Sequence, residues 1–117
     1  MSARVQKLGN VLVPVDDLGK ALTFYVEVLG LTVKFRDGDR FAALDAGGVT
    51  IALAAPEEQV AGALTAPSYK VGDLAEAVAE LTAAGAELVS GPEAGPHESR
   101  AVLRDPSGNV LVLYSPL

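Results

Sequence analysis

The stretch DPSGNVLVLY, residues 105–114, joins a tight turn directly to an apolar strand. Asp105 and Pro106 favour the opening of a turn, and Gly108 tolerates the positive φ that closes it. The residues after the turn are too apolar and β-branched for a loop. A weaker copy, DAGGVTIALAAP, lies upstream at residues 45–56 and repeats Asp, Gly, Leu and Pro at matching positions. The chain therefore looks like two copies of one plan.

The first copy predicts the order strand, helix, strand, strand, strand. Residues 10–15 alternate as a strand, and Asp17 is a good N-cap for a helix over residues 18–29 with Val28 and Leu29 on its buried stripe. Gly30 is the expected end of that helix. Three further strands are expected between residues 32 and 54.

The second copy predicts the same order. After a connector from Pro56 that holds at most one helical turn, residues 68–71 read as a short strand, and Asp73 caps a helix over residues 74–84. A strand at residues 87–90 precedes a loop at 91–96, where two glycines and two prolines disfavour regular structure. Two strands, at 99–104 and 110–114, complete the copy.

Length and composition indicate one folded domain spanning residues 1–117, with modules at about 8–56 and 66–117. The chain has 117 residues, of which 50% are hydrophobic and 21% charged, enough for a core and too apolar for global disorder. The sequence contains no cysteine, which excludes disulfides, thiolate metal sites and a catalytic thiol.

Charge and hydropathy restrict the partners and the location. The net charge of −6 argues against nucleic acid, because a phosphate-binding protein needs a basic face. No apolar run approaches the length of a membrane span, and the N-terminus lacks a signal-peptide core. We therefore expect a cytoplasmic protein that binds neither nucleic acid nor membrane.

Residues 10–31, NVLVPVDDLGKALTFYVEVLGL, and the late DPSGN turn together resemble the vicinal-oxygen-chelate superfamily. That family includes glyoxalases, bleomycin resistance proteins and extradiol dioxygenases. The resemblance implies an α+β fold in which two βαβββ modules form an open barrel-like cup, commonly in a homodimer. We expect the pairing edge to be the strand with Pro14 or the one at 49–54.

The resemblance also implies where a metal would be held. Metal-dependent members place His or Glu ligands on the first and last strands of each module. The matching positions here are Asn10, Ala52, Ala66 and Val112, and three of these side chains are hydrocarbons. Such a set cannot replace the imidazole and carboxylate donors that these metals need. No metal and no other cofactor is therefore expected.

Several other side chains are candidates for contact with a ligand. His97 is the only histidine and lies in a loop that borders the cup in the family, although a loop histidine is often only solvated. Lys70 and Tyr114 are candidates for the wall of the cup. The complete expected set is Asn10, Leu12, Ala52, Ala66, Ser68, Lys70, His97, Arg100, Val112 and Tyr114.

Three functions remain open from the sequence. The first is a metal-free binding protein of the bleomycin-resistance type, which sequesters a hydrophobic or aromatic small molecule where Ala52 and Ala66 leave volume. The second is an enzyme, a lyase, isomerase or dioxygenase relative, using His97 or Lys70, or using a metal held by carboxylates such as Glu98 or Asp45, which look like turn residues. The third is a dimeric domain that binds a partner protein.

Overall fold

The computed structural model describes residues 4–117. The chain divides into two compact units: an N-terminal unit, Asn10–Thr65, and a C-terminal unit formed by Ala66–Leu117 with residues 4–9. Each unit follows the βαβββ order expected from the sequence, which confirms the α+β fold class.

The N-terminal unit contains β1 (Lys7–Pro14) from Asn10 onward, α1 (Leu18–Leu22), β2 (Thr32–Asp37), β3 (Phe41–Asp45) and β4 (Thr50–Ala54). Its strands are ordered β2-β3-β4-β1, and β1 runs parallel to β4 while the other neighbours are antiparallel. Leu18 of α1 packs on one side of this sheet against Ala42, Leu44 and Leu53. Asp17 caps α1 by accepting a hydrogen bond from the backbone N of Lys20 at 3.0 Å.

The C-terminal unit contains β5 (Ala66–Lys70), α2 (Leu74–Ala83), β6 (Glu87–Ala94), β7 (Glu98–Arg104) and β8 (Val110–Pro116). Its order is β5-β8-β7-β6, with β5 parallel to β8 and the others antiparallel. Leu74, Ala77 and Val78 of α2 pack over Leu103 and Leu113. No helix within residues 4–117 is long and apolar enough to cross a membrane.

The first helix is shorter than the sequence predicts. After α1 the chain continues as a π-helical segment, Thr23–Val28, in which the backbone N of Leu29 donates to the carbonyl of Phe24, five residues earlier. The wider π turn changes which side chains point inward. Tyr25 packs on the core, whereas Val28 is 70% exposed and Leu29 55% exposed, so the prediction that both are buried is wrong.

Two other expectations are corrected by the strand pairing. Residues 91–94 are not loop, because β6 continues through Gly91 and Pro92 to Ala94, with its register against β7 shifted twice. A proline is tolerated there since β6 lies at the edge of its unit's strand order. The strand at 49–54 is not an edge, because β4 pairs with both β1 and β3. Within the strand order of the N-terminal unit, the two outer strands are β2 and β1, the strand with Pro14.

Candidate functional site

In each unit one side of the sheet packs under the helix, and we call the opposite side the helix-free face. Side chains alternate between the two sides along a strand. Leu113 packs under α2, which places Tyr114 on the helix-free face of the C-terminal unit. Tyr69 packs against the same core, so Lys70 also lies on the helix-free face. The alternation of side chains along the strands therefore separates these candidate residues from the core.

Three polar candidates form one row on this face. Lys70 of β5 is the register partner of Tyr114 of β8, and Tyr114 is the register partner of Arg100 of β7. Side chains opposite each other on neighbouring strands lie roughly 5 Å apart at Cβ. All three residues are partly buried. The structure thus brings together a phenol with a cation on either side, which we call the polar row.

Arg100 is fixed by a neighbour on β7 and by the loop between β6 and β7. Its Nη1 lies 3.5 Å from the Oε2 of Glu98, and the two side chains are 18% and 31% exposed, respectively. Its guanidinium lies against Gly95, where an added Cβ would come within 2.9 Å of the arginine Cζ. The position of this charge is therefore defined by packing as well as by the ion pair.

Tyr114 reaches from β8 towards the first residues of the unit. A Cβ added at Gly9 would lie 2.0 Å from the Tyr114 hydroxyl, so the ring occupies space that only glycine leaves open. Burial raises the pKa of the Tyr114 phenol, and the charge of Glu98 raises that pKa further. Both effects favour the neutral phenol, whose O–H can donate a hydrogen bond.

The apolar candidates of the C-terminal unit are covered. Ser68 and Val112 are register partners on the helix-free face, with exposed fractions of 5% and 3%, and Ala66 has no exposed surface. Ala52 of the N-terminal unit likewise has none. The open volume expected beside Ala52 and Ala66 is therefore not accessible to solvent in this conformation. A ligand can contact one of these side chains only if the residues packed around it move.

In the N-terminal unit, Asn10 and Leu12 of β1 lie on the helix-free face. Leu12, a register partner of Ala52, is 8% exposed. Asn10 has the same strand parity as Leu12, and its Oδ1 is buried without a hydrogen-bond partner among the described residues. An unsatisfied amide oxygen is costly in a folded protein, so Asn10 is a position where a ligand donor would be favourable.

His97 occupies the loop between β6 and β7, as predicted, and its side chain is exposed. Glu98 is the first residue of β7 and pairs with Arg100, so the interpretation of Glu98 as a turn residue is wrong. Sequence reasoning also missed Gly9. Glu98 lies two residues before Arg100 on β7, so strand alternation predicts that both side chains lie on the same face. Nothing in the local sequence around Gly9 predicts its contact with Tyr114.

No three His, Asp or Glu side chains among residues 4–117 converge as a metal site requires. The four family positions all lie on helix-free faces, and they carry an amide, two methyl groups and an isopropyl group. These residues do not fit a transition metal.

The N-terminal unit also has an acidic groove that the sequence did not predict. Its volume is about 440 Å³. The groove lies where α1 begins and β4 ends, and its lining comprises Asp16, Asp17, Leu18, Gly19, Asp39, Ala55, Pro56 and Glu57.

Comparison with known proteins places these features in a family. The family model described as Glyoxalase/Bleomycin resistance protein/Dioxygenase superfamily matches residues 7–113. An uncharacterized protein of Mycolicibacterium smegmatis is 43% identical over 107 residues, which cover 92% of this chain and 91% of that protein.

Solved structures share the fold. Methylmalonyl-CoA epimerase from Mycobacterium tuberculosis superposes with a TM-score of 0.74 at 23% identity, covering 97% of this chain and 89% of the other. A glyoxalase/bleomycin resistance protein/dioxygenase superfamily member from Vibrio splendidus 12B01 superposes with a TM-score of 0.63 at 22% identity, covering 91% and 96%. At these identities the likeness concerns the fold alone.

Proposed function

Because the chain belongs to the Glyoxalase/Bleomycin resistance protein/Dioxygenase superfamily, we propose that it is a metal-free binding protein of the bleomycin-resistance type. It takes up a hydrophobic or aromatic small molecule on its helix-free faces. The observation that carries the proposal is the chemistry of the four family metal positions. Asn10, Ala52, Ala66 and Val112 supply one amide oxygen and otherwise only hydrocarbon.

The surfaces around those positions suit an apolar ligand with an aromatic part. In the N-terminal unit Leu12 offers an aliphatic side chain, and in the C-terminal unit Val112 offers another, two residues before Tyr114 on β8. Such pockets bind mainly by shape and apolar area, with a few polar groups that set orientation. Ala52 and Ala66 have no exposed surface, so a ligand reaches either of them only when the side chains packed around it rearrange.

A thermal-shift screen tests this function. The native protein is heated with planar aromatic antibiotics, with peptide antibiotics and with α-keto metabolites as an enzyme-like class. A ligand at about 100 times its Kd adds roughly 2.7 kcal/mol to the free energy of unfolding. We expect stabilisation by an aromatic compound, lost in Tyr114→Ala and retained in Phe24→Ala. Phe24 is the matched control, because it is a 52% exposed aromatic on the π-helical segment.

Two results would reject the proposal. Retention of about one Zn, Ni, Mn or Fe ion per chain through dialysis, measured by elemental analysis, would contradict a metal-free site. Chemical conversion of a stabilising compound, followed by mass spectrometry and abolished by His97→Ala, would assign the chain to the enzymes of the superfamily instead.

A further inference from the structure

The polar row gives the C-terminal unit a charged feature that an apolar ligand does not need. Lys70 and Arg100 lie on either side of Tyr114, across three adjacent strands. Partial burial of a cation is costly unless an anion compensates it. Each of the two cations is therefore expected to lie near an anion.

Arg100 already has its anion within the protein. Its Nη1 is 3.5 Å from Glu98 Oε2, and its register partner on β6 is Glu93. Arg104, on the same strand face, lies 3.4 Å from Glu87. These cations of β7 are matched by carboxylates on their own or the neighbouring strand.

Lys70 is different. Apart from its pairing with β8, Lys70 makes one hydrogen bond among residues 4–117. Its backbone carbonyl accepts from the backbone N of Gln6 at 2.8 Å. Within residues 4–117 its ammonium makes no ion pair with a carboxylate, and residues 1–3 contain no acidic side chain. Lys70 is nevertheless partly buried. Lys70 is therefore the one cation of the polar row without an ion pair among the described residues.

A residue with a hydrogen-bond donor is paired with Lys70 on the neighbouring strand. Tyr114 crosses from β8 to Gly9 and is the register partner of Lys70, so its ring passes the strand on which Lys70 lies. A tyrosine phenol is protonated at neutral pH, and its O–H donates well to a carboxylate oxygen. An ammonium and a phenol at neighbouring positions form a matched pair of donors for one carboxylate.

We propose that the ligand carries a carboxylate, which is bound between Lys70 and Tyr114 while Arg100 offsets the charge of Glu98. This inference rests on the proposed function and refines it, since the aromatic body of the ligand still occupies the apolar part of the helix-free face. The protein thus selects an aromatic acid over its neutral counterpart.

Paired probes separate the two ideas. 2-Naphthoate and 2-naphthamide share an aromatic body and differ in charge, so calorimetry with both measures apolar uptake and carboxylate selectivity independently. A charge-assisted hydrogen bond contributes about 1.5–3 kcal/mol, so we expect naphthoate to bind about 10- to 100-fold tighter than naphthamide. Lys70→Met should remove most of that preference.

Matched variants define the controls. Lys20→Met makes the same charge change on α1 and should keep the preference for the acid, which excludes a general effect of net charge. Arg100→Met should reduce the preference by a smaller factor. If it fails to fold because the contact with Gly95 is lost, Arg100→Lys, which keeps the charge, should retain the preference.

Equal affinity of the native protein for both probes would overturn the carboxylate site and leave the binding function standing. A preference that survives in Lys70→Met would also overturn it. Binding of neither probe would count against both proposals.

Discussion

At the residue scale, the contact between Gly9 and Tyr114 couples two positions far apart in the sequence. A methyl group at Gly9 would lie 2.6 Å from two ring carbons of Tyr114. We expect Gly9→Ala to destabilise the protein by about 1–3 kcal/mol, because the ring must move.

A double-mutant cycle measured by urea denaturation checks the cause. In a Tyr114→Ala background the cost of Gly9→Ala should fall by roughly 0.5–3 kcal/mol, the usual range for residues in contact. Additive effects would mean that Gly9 is required for a different reason. Gly9→Ala should also weaken the binding of naphthoate, since it displaces the phenol proposed to contact the carboxylate.

Asp105 predicts a pH dependence at the same scale. Its carboxylate accepts hydrogen bonds from the backbone N of Asn109 and of Ser107, both at 2.9 Å, and from the Asn109 side chain. These bonds, led by the backbone N–H of Asn109, lower the pKa of Asp105. A depressed folded pKa stabilises the protein above the unfolded value of about 3.9, and this stabilisation is lost as pH falls through the folded value.

We therefore expect Asp105→Asn to be less stable than the native protein at pH 7 and to approach it near pH 3. Urea midpoints at the two values measure the difference. Ser107→Ala is the control, because it keeps the backbone N–H that Asp105 accepts. A gap between native and Asp105→Asn that is unchanged at low pH would contradict this account.

At the scale of elements, β6 depends on a glycine that approaches its neighbour closely. Gly91 has φ of 85°, and an added Cβ would lie 2.6 Å from the carbonyl oxygen of Arg100 on β7. We expect Gly91→Ala to cost about 1–3 kcal/mol more than Gly108→Ala. Gly108 has φ of 91° with nothing within 4 Å of the added Cβ, so it isolates the conformational cost. Thermal unfolding of both variants provides the comparison, and equal losses would show that the close approach does not matter.

The elements show what sequence patterns can and cannot predict. Alternation and capping placed the strands and helix starts correctly, because Asp17 and Asp73 each cap a helix by accepting a backbone N–H at 3.0 Å. The π-helical segment was missed, since an added residue in a helical turn leaves no local signature. The extension of β6 was missed for a related reason, because pairing with β7 outweighs the local preference of Gly91 and Pro92.

The site was predictable only in part. The sequence identified Lys70 and Tyr114 as candidates for the wall of the cup, and strand alternation accounts for that placement. The contact of Tyr114 with Gly9 depends on tertiary packing, which no local pattern encodes. The burial of Ala52 and Ala66 likewise depends on the side chains packed around them. Their small size therefore does not leave space that solvent can reach.

At the scale of the whole molecule, the exposed apolar side chains indicate assembly. Phe24, Val28 and Leu29 are each more than half exposed, and the outer strand β2 exposes Val33 and Phe35. Outer strands and apolar surface favour association. We expect a homodimer, with a mass by light scattering of twice the 12.0 kDa of one chain.

A charge at Val28 tests that surface. Val28 is 70% exposed, so Val28→Glu should leave the fold intact and shift the protein towards the monomer mass. Ala79→Glu introduces the same group at an exposed position of α2 and should remain dimeric. A native protein that has the monomer mass at micromolar concentration would reject the dimer.

The hydrogen bonds of the Gln59 side-chain amide predict where limited proteolysis begins. Its Nε2 donates to the carbonyl of Val15 at 3.0 Å and to that of Ala54 at 3.1 Å, which fastens the end of β4 to the residue after β1. The chain beyond Gln59 is exposed from Gly62 to Thr65. A protease should therefore cut at residues 62–65 first, while slow amide exchange at Val15, whose N donates to Ala54 at 2.9 Å, persists in the nicked protein.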